Sequence, residues 1–193
     1  MSKAVMLSTR QKWCKKIASG EKTIEVRKTR PKLETPFKAY IYCTSGRPDL
    51  NIPISPERLM QDYLDTGSMK SLNCPLGNGK VIGEFTCDRI DRLAPANEPY
   101  GIYDIDDDYV LQTCLENGAL WDYGHGTSLY GWHISGLKIY DTPKELTEFH
   151  TLKKCKSCSK SGYESTACIY DENCMVPVAI TKAPQSWCYV EEV

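Results

Sequence analysis

The sequence has no apolar run of eighteen or more residues, and this absence excludes a membrane-spanning helix of ordinary length. The apolar stretch within residues 1–8 is too short for the core of a secretory signal peptide. Internal repeats and low-complexity tracts are absent as well. At 193 residues, with 41% hydrophobic and 25% charged residues, the chain has the composition of one globular domain with additions. We therefore expect a cytoplasmic protein without membrane contact.

Net charge is nearly absent too, at −1, so the whole molecule is not a general binder of polyanions. The charges are nevertheless unevenly distributed. Residues 3–38 hold eleven Lys or Arg and three Glu, whereas residues 91–122 hold eight Asp or Glu and one Arg. This asymmetry fits two solvated surfaces of opposite sign, or a basic face for phosphates beside an acidic face. Charge alone leaves both interpretations open.

Hydrophobic periodicity predicts two short helices among several strands. One helix is expected over residues 10–19 and a second over 109–117, with Gly118 at its end. Residues 46–79 are rich in proline and glycine, which predicts an insertion at the surface. Strands are predicted at residues 5–8, 23–28, 37–43, 80–93 and 129–140. This order favours an α+β, mostly β fold, with a closed or half-closed barrel and flanking short helices.

The predicted strand at residues 23–28 carries the most informative polar pattern. Side chains alternate along a strand, so Thr23, Glu25 and Arg27 are expected on one face, opposite the apolar Ile24 and Val26. The backbones of Glu25 and Arg27 should lie roughly 7 Å apart, so their charged ends can converge. The pattern therefore predicts either a solvated, ion-paired face or the floor of a cleft that holds a ligand.

The same segment resembles a known family. Ser8-Thr9-Arg10, the helix that follows and Gly-Glu-Lys-Thr-Ile-Glu-Val-Arg at residues 20–27 resemble the ASCH family, a branch of the PUA-like β-barrels with the signature Gly-x-Lys-Thr-x-Glu-x-Arg. Residues 131–137 are similar to the family's His-Ile strand, and residues 184–191 to the tail of a bacterial and phage subgroup. The resemblance implies an ASCH domain over residues 1–149 and a Cys-rich extension over 150–193 that ends in a strand.

The resemblance also implies a function, since the wider family is implicated in RNA binding. A few small members hydrolyse acylated cytidine nucleosides, and others are linked to RNA cleavage. We expect a cleft that binds RNA, a nucleotide or a nucleoside, with Trp187 as a stacking platform for a base. The predicted ligand-binding residues are Ser8, Arg10, Lys22, Thr23, Glu25, Arg27 and Trp187. If the protein is instead a hydrolase of a modified nucleoside or an RNA phosphodiester, the predicted catalytic residues are Lys22, Thr23 and Glu25.

Whether such a cleft only binds its ligand or also catalyses hydrolysis depends on the pKa of Lys22. A lysine acts as a base or nucleophile near neutral pH only when its pKa falls well below the ordinary value of about 10.4. Burial and the cations of Arg10, Arg27 and Lys28 would lower this pKa, whereas Glu25 would raise it. The amidohydrolases also use a second, downstream glutamate, for which Glu84 and Glu98 are the candidates. We expect binding rather than hydrolysis.

Ten cysteines in a reducing compartment do not favour five disulfides. Four of them have the spacing C-x2-C-x9-C-x5-C near the C-terminus: Cys155, Cys158, Cys168 and Cys174. Four thiolates around one ion are typical of structural zinc, and a C-x2-C knuckle supplies two ligands from one turn. We therefore expect zinc to order this segment, with free thiols or a disulfide or redox pair as alternatives. A zinc-stabilised extension could also be a protein-interaction module whose partner is unknown.

Overall fold

The computed structural model describes residues 3–45, 78–96, 102–155 and 175–193. Nearly all of the predicted insertion at 46–79 lies outside these ranges. So do Glu98 and three of the four predicted zinc ligands, Cys158, Cys168 and Cys174. No helix in the described ranges combines the length and the apolar character needed to cross a bilayer.

Most of the regular structure in these ranges is β-strand. The strands are β1 (Lys3–Thr9), β2 (Ile24–Arg27), β3 (Phe37–Cys43), β4 (Val81–Leu93), β5 (Leu129–Lys144), β6 (His150–Lys154), β7 (Met175–Ala179) and β8 (Trp187–Glu191). The helices are α1 (Gln11–Ala18), α2 (Asp107–Thr113) and α3 (Asn117–Gly124), with a 3-10 helix at Leu146–Glu148. This composition confirms the predicted α+β, mostly β fold class.

Six strands form one mixed sheet in the order β2-β5-β4-β3-β1-β8. β1 and β3 pair in parallel, and the other neighbours in this sheet pair antiparallel. β6 and β7 form a separate antiparallel pair that runs from His150 opposite Ala179 to Lys154 opposite Met175. The C-terminal strand β8 pairs with β1, and this ladder places Lys3 opposite Glu191.

The edge strands of the large sheet, β2 and β8, do not pair with each other. Side chains of β8 instead form hydrogen bonds with the segment that follows β2. Trp187 Nε1 donates to Thr29 Oγ1 at 2.9 Å, and the Tyr189 hydroxyl accepts from the backbone N–H of Lys32 at 2.7 Å. The described strands therefore form a six-stranded mixed sheet that no strand ladder closes into a barrel.

The strand β1 is buried on both faces because it lies between two clusters of apolar side chains. On one face, Val5 and Leu7 belong to the cluster that includes Ile17 of α1. On the other face, Ala4 and Met6 belong to a second cluster. Burying one large aliphatic side chain is worth about 1.5–3 kcal/mol, so the apolar face of α1 holds this helix against the sheet.

The prediction of a single helix over residues 109–117 is wrong, because one helix ends and another begins within this range. The side chain of Asp106 accepts from the backbone N–H of Tyr109 and caps the start of α2. α2 ends where Cys114 adopts a left-handed conformation with φ of 54°. Gly118 lies inside α3 rather than at a helix end. The pattern missed the break because a left-handed C-cap is ordinarily signalled by glycine, and a cysteine occupies it here.

Candidate functional site

A cavity of about 510 Å³ opens beside β2. Small-molecule sites in proteins have volumes of about 300–1,000 Å³, so a ligand of nucleotide size is compatible with this space. Its lining comes from β1, α1, β2, the α2–α3 region and the segment that precedes β8. Five of the seven predicted ligand-binding residues lie in that lining: Ser8, Arg10, Lys22, Glu25 and Arg27.

Three charged side chains, those of Lys22, Glu25 and Arg27, meet on one wall of this cavity. We call this group of three side chains the floor. Glu25 Oε1 lies 2.9 Å from Arg27 Nη2, and Glu25 Oε2 lies 3.4 Å from Lys22 Nζ. The exposed fractions of the three side chains are 1% for Lys22, 8% for Glu25 and 7% for Arg27. Buried charges are costly in a protein unless they are paired, and such groups concentrate at functional sites. The floor therefore marks this cavity as the candidate site.

Lys22 reaches the floor from the loop between α1 and β2. Its Nζ donates to the backbone oxygen of Thr113, the last residue of α2, at 2.6 Å. The same Nζ lies 5.1 Å from the ring centre of Trp13. Burial lowers the pKa of Lys22, and the charge of Glu25 opposes this shift. The carbonyl at the C-terminus of α2 also favours a cation, so a charged Lys22 fits its surroundings.

Arg27 connects the floor to two other segments. Its Nη2 donates to Ser8 O at 3.0 Å and to Thr9 Oγ1 at 3.1 Å. Its Nη1 donates to Ser186 O at 3.2 Å and contacts Ser186 Oγ at 3.4 Å. The Nε of Arg27 is buried and has no hydrogen-bond partner within the described ranges. A buried donor without a partner costs the folded protein stability.

Two aromatic side chains, Trp13 of α1 and Tyr123 of α3, also line the cavity. Tyr123 is 38% exposed, and Lys28 Nζ lies 5.0 Å from its ring centre. From the sequence, all four tryptophans and the twelve tyrosines are candidates for stacking on a base, and Trp187 is favoured over these two rings. Trp13 follows the helical apolar pattern, which predicts a core position, and Tyr123 belongs to a helix that the pattern did not reveal.

Thr23 and Trp187 lie outside the cavity lining. Thr23 is exposed, and the strand begins only at Ile24, so the predicted alternation does not extend to Thr23. The ring of Trp187 lies 6.0 Å from that of Trp132, and its Nε1 bonds to Thr29. The prediction for Thr23 assumed that β2 begins one residue earlier than it does. The prediction for Trp187 assumed that its indole faces the cleft, whereas the indole packs near Trp132 and bonds to Thr29.

The second glutamate of the amidohydrolases has no counterpart among the described lining residues. Glu84 accepts from the hydroxyl of Tyr140 at 2.6 Å and does not line the cavity. Glu98 lies outside the described ranges. Within those ranges, Glu25 is the one carboxylate in the lining.

No group of three or more His, Cys, Asp or Glu side chains is placed to hold a metal ion in the described part of the chain. Of the four predicted zinc ligands, only Cys155 falls within that part. Zinc binding by the cysteine cluster therefore stays a prediction.

Comparison with solved structures matches this fold to ASCH proteins of Zymomonas mobilis. A crystal structure of a tyrosine-to-phenylalanine mutant of ZmASCH superposes with a TM-score of 0.52, covering 99% of this chain and 92% of that chain at 16% identity. A structure of ASCH from the same organism gives a TM-score of 0.46 over 98% and 88% of the two chains at 15% identity. A serine-to-alanine mutant gives 0.46 over 98% and 89% at 14% identity. No protein-family model and no curated protein matches the sequence.

Proposed function

We propose that this chain, which has the fold of ASCH domains and is thus a PUA-like domain, binds RNA or a nucleotide in the cavity beside β2. The observation that carries this proposal is the floor of Lys22, Glu25 and Arg27. These side chains are nearly fully buried, yet they line a cavity. A well-packed apolar set of the same volume would often stabilise a fold at least as well, so ligand binding accounts for three charges here better than stability does.

The charge of the cavity suits an anionic ligand. Two cations and one carboxylate give the floor a net charge of +1, and Arg10 adds a further cation to the lining. Charge-assisted hydrogen bonds from Lys and Arg are the usual contacts of proteins with phosphate and with electron-rich carbonyl oxygens. Exposed Lys12, whose Nζ lies 4.8 Å from the ring centre of Trp13, extends this positive charge beyond the lining residues.

The aromatic side chains of the cavity suit a nucleobase. Stacking of a base on an aromatic ring is worth about 1–3 kcal/mol and tolerates every base. Trp13 and Tyr123 expose ring surface in the same cavity that holds the charged floor. A base against these rings and a phosphate near the cations would use both kinds of contact at once.

The proposal is tested by titrating the protein with short single-stranded RNAs, mononucleotides and nucleosides, with thermal stabilisation and calorimetry as readouts. Lys22→Met should weaken binding about tenfold or more, because a hydrogen bond from a charged group contributes about 1.5–3 kcal/mol. Lys138→Met is the matched control, since it removes the same charge from an exposed position of β5 outside the lining. Absence of binding by all three ligand classes to the wild-type protein would contradict the proposal.

A hydrolase of a modified nucleoside or an RNA phosphodiester is the second candidate function. One observation favours it, since burial lowers the pKa of Lys22 toward the range in which an amine acts as a base. Thr23, however, lies outside the cavity lining. Release of product from an acylcytidine or a labelled RNA by the wild-type protein, and its loss in Lys22→Met, would favour this candidate over binding alone.

A further inference from the structure

Two buried cysteines, Cys14 of α1 and Cys43 at the end of β3, lie behind the wall of the cavity. The two residues are 4% and 2% exposed and belong to the same cluster of apolar side chains. Cys14 directly follows Trp13 and Cys43 directly precedes Thr44, and both of these neighbours line the cavity. Neither cysteine is among the lining residues that the structure describes. The pair is therefore a separate group of nucleophilic side chains, which the proposed function does not use.

The fold brings both thiols to the backbone of Thr9. The thiol of Cys14 donates to Thr9 O at 3.4 Å. Thr9 is also the residue opposite Cys43 in the parallel pairing of β1 with β3, and paired strands lie only about 4.8 Å apart. Side chains alternate along a strand, so Cys43 projects from the same face of β3 as Ile41, into the cluster that includes Cys14. Strand pairing and core packing thus place the two thiols next to each other.

A side-chain hydrogen bond joins the two thiols. This bond lowers the pKa of Cys43, whereas the same bond, followed by burial, raises the pKa of Cys14. A thiol has one hydrogen, so Cys14 donates to Thr9 O while both thiols are neutral and turns to Cys43 when Cys43 ionises. Because the thiolate is the nucleophilic form of cysteine, Cys43 is the thiol that attacks an oxidant first.

We propose that Cys14 and Cys43 form a reversible disulfide when the protein meets a peroxide. The thiolate of Cys43 attacks one oxygen of hydrogen peroxide, the O–O bond breaks, and the products are a sulfenic acid on Cys43 and, after protonation, water. The sulfur of Cys14 then attacks the sulfenic sulfur. The S–S bond forms, the S–O bond breaks, and the departing hydroxide takes the thiol proton of Cys14 to form a second water. Two thiols and one peroxide thus give one disulfide and two waters, and a dithiol reductant reverses the change.

The disulfide would tie the wall of the cavity to the sheet, because α1 carries Trp13 and β3 lies in the centre of the sheet order. It closes a loop of about 30 residues, and a cross-link of that length restricts the unfolded chain, so the oxidised protein should be more stable. Hydrogen peroxide is close to water in size, so local opening of the wall is enough to admit it. The inference goes beyond the proposed function and holds whatever the cavity binds.

The test treats the full chain with hydrogen peroxide while circular dichroism confirms that it stays folded. Remaining thiols are then blocked with N-ethylmaleimide in denaturant, and the protein is digested without reductant. Mass spectrometry should identify two peptides linked through Cys14 and Cys43, and dithiothreitol should release them. The melting temperature of the oxidised protein should rise by about 5 °C or more and return after reduction.

Cys87→Ala is the matched control. Cys87 is buried in the same cluster, but burial raises its pKa to about 12 and its thiol contacts Arg89 O at 3.5 Å rather than another thiol. This variant should keep both the linked peptides and the rise in melting temperature. Cys43→Ala should lose both.

Two outcomes would overturn the inference. One is wild-type protein in which peroxide oxidises other cysteines but never links Cys14 to Cys43. The other is a link that forms only after urea has unfolded the chain. The peptide map of the wild-type protein gives either result even if Cys43→Ala fails to fold. Neither outcome affects the proposed binding of RNA or a nucleotide, which the titrations with those ligands test separately.

Discussion

Arg27, on one edge strand of the large sheet, donates through Nη1 to the backbone oxygen of Ser186, 3.2 Å away and 159 positions later in the chain. Ser186 directly precedes β8, the other edge strand. Nη2 of the same guanidinium donates to Ser8 O on β1 and lies 2.9 Å from Glu25. The side chain that connects one edge strand with the segment before the other is therefore also part of the cavity floor.

Replacement of Arg27 should destabilise the fold as well as the site. We expect Arg27→Lys to lower the free energy of unfolding by about 2–4 kcal/mol, because a single ammonium group cannot replace a planar fork that bonds to several buried oxygens. Urea denaturation followed by circular dichroism measures this difference. Arg30→Lys, at an exposed position, should change stability by less than about 0.5 kcal/mol. Equal losses in the two variants would show that Arg27 does not hold the edge strands together.

The burial of Lys22 should make part of the stability depend on pH. Because the folded-state pKa of Lys22 is lowered from 10.5, the unfolded chain binds more protons at this side chain between the lowered pKa and 10.5. The contribution of Lys22 to the free energy of unfolding should therefore increase as pH rises through that interval. The cost of burying its charge is present in full only below the lowered pKa.

The measurement is the difference in unfolding free energy between wild type and Lys22→Met from pH 7 to pH 10. Titrating tyrosines contribute about equally to the unfolding free energies of both proteins, so their effects largely cancel in this difference. We expect the wild-type protein to gain stability relative to Lys22→Met as pH rises. Lys138→Met, which removes the same charge from an exposed position, is the matched control. A difference that stays constant or falls for Lys22→Met would mean that its ammonium is not destabilised by burial.

Zinc binding by the cysteine cluster can be tested without reference to the cavity. β6 and β7 place Lys154 opposite Met175, and these residues directly adjoin Cys155 and Cys174 in the sequence. We expect protein purified without added metal to contain about one zinc ion per chain by mass spectrometry of the metal, the content of one four-cysteine site. Cys158→Ser should lower that content, whereas Cys114→Ser, outside the cluster, should not. Metal-free wild-type protein would refute the prediction.

The fold class and part of the floor could be predicted from the sequence because both depend on local patterns. The alternation in residues 23–28 predicted that Glu25 and Arg27 converge, and in the structure both contribute to one ion-paired group. The pattern failed at Thr23, since where a strand starts depends on its neighbour, and β2 pairs with β5 only from Ile24 onward. It also failed at the break between α2 and α3, where a left-handed cysteine carries no sequence signal.

By itself, the sequence determined which polar groups would stand together on one short strand, since the spacing of side chains along a strand is a property of the backbone. Only the tertiary structure decided what surrounds them. Thr113, 91 positions beyond Lys22, accepts from its Nζ, and Ser186 and Tyr123 complete other sides of the cavity. These contacts depend on strand register and on how two short helices pack, and those are decided by long-range complementarity rather than by neighbouring residues.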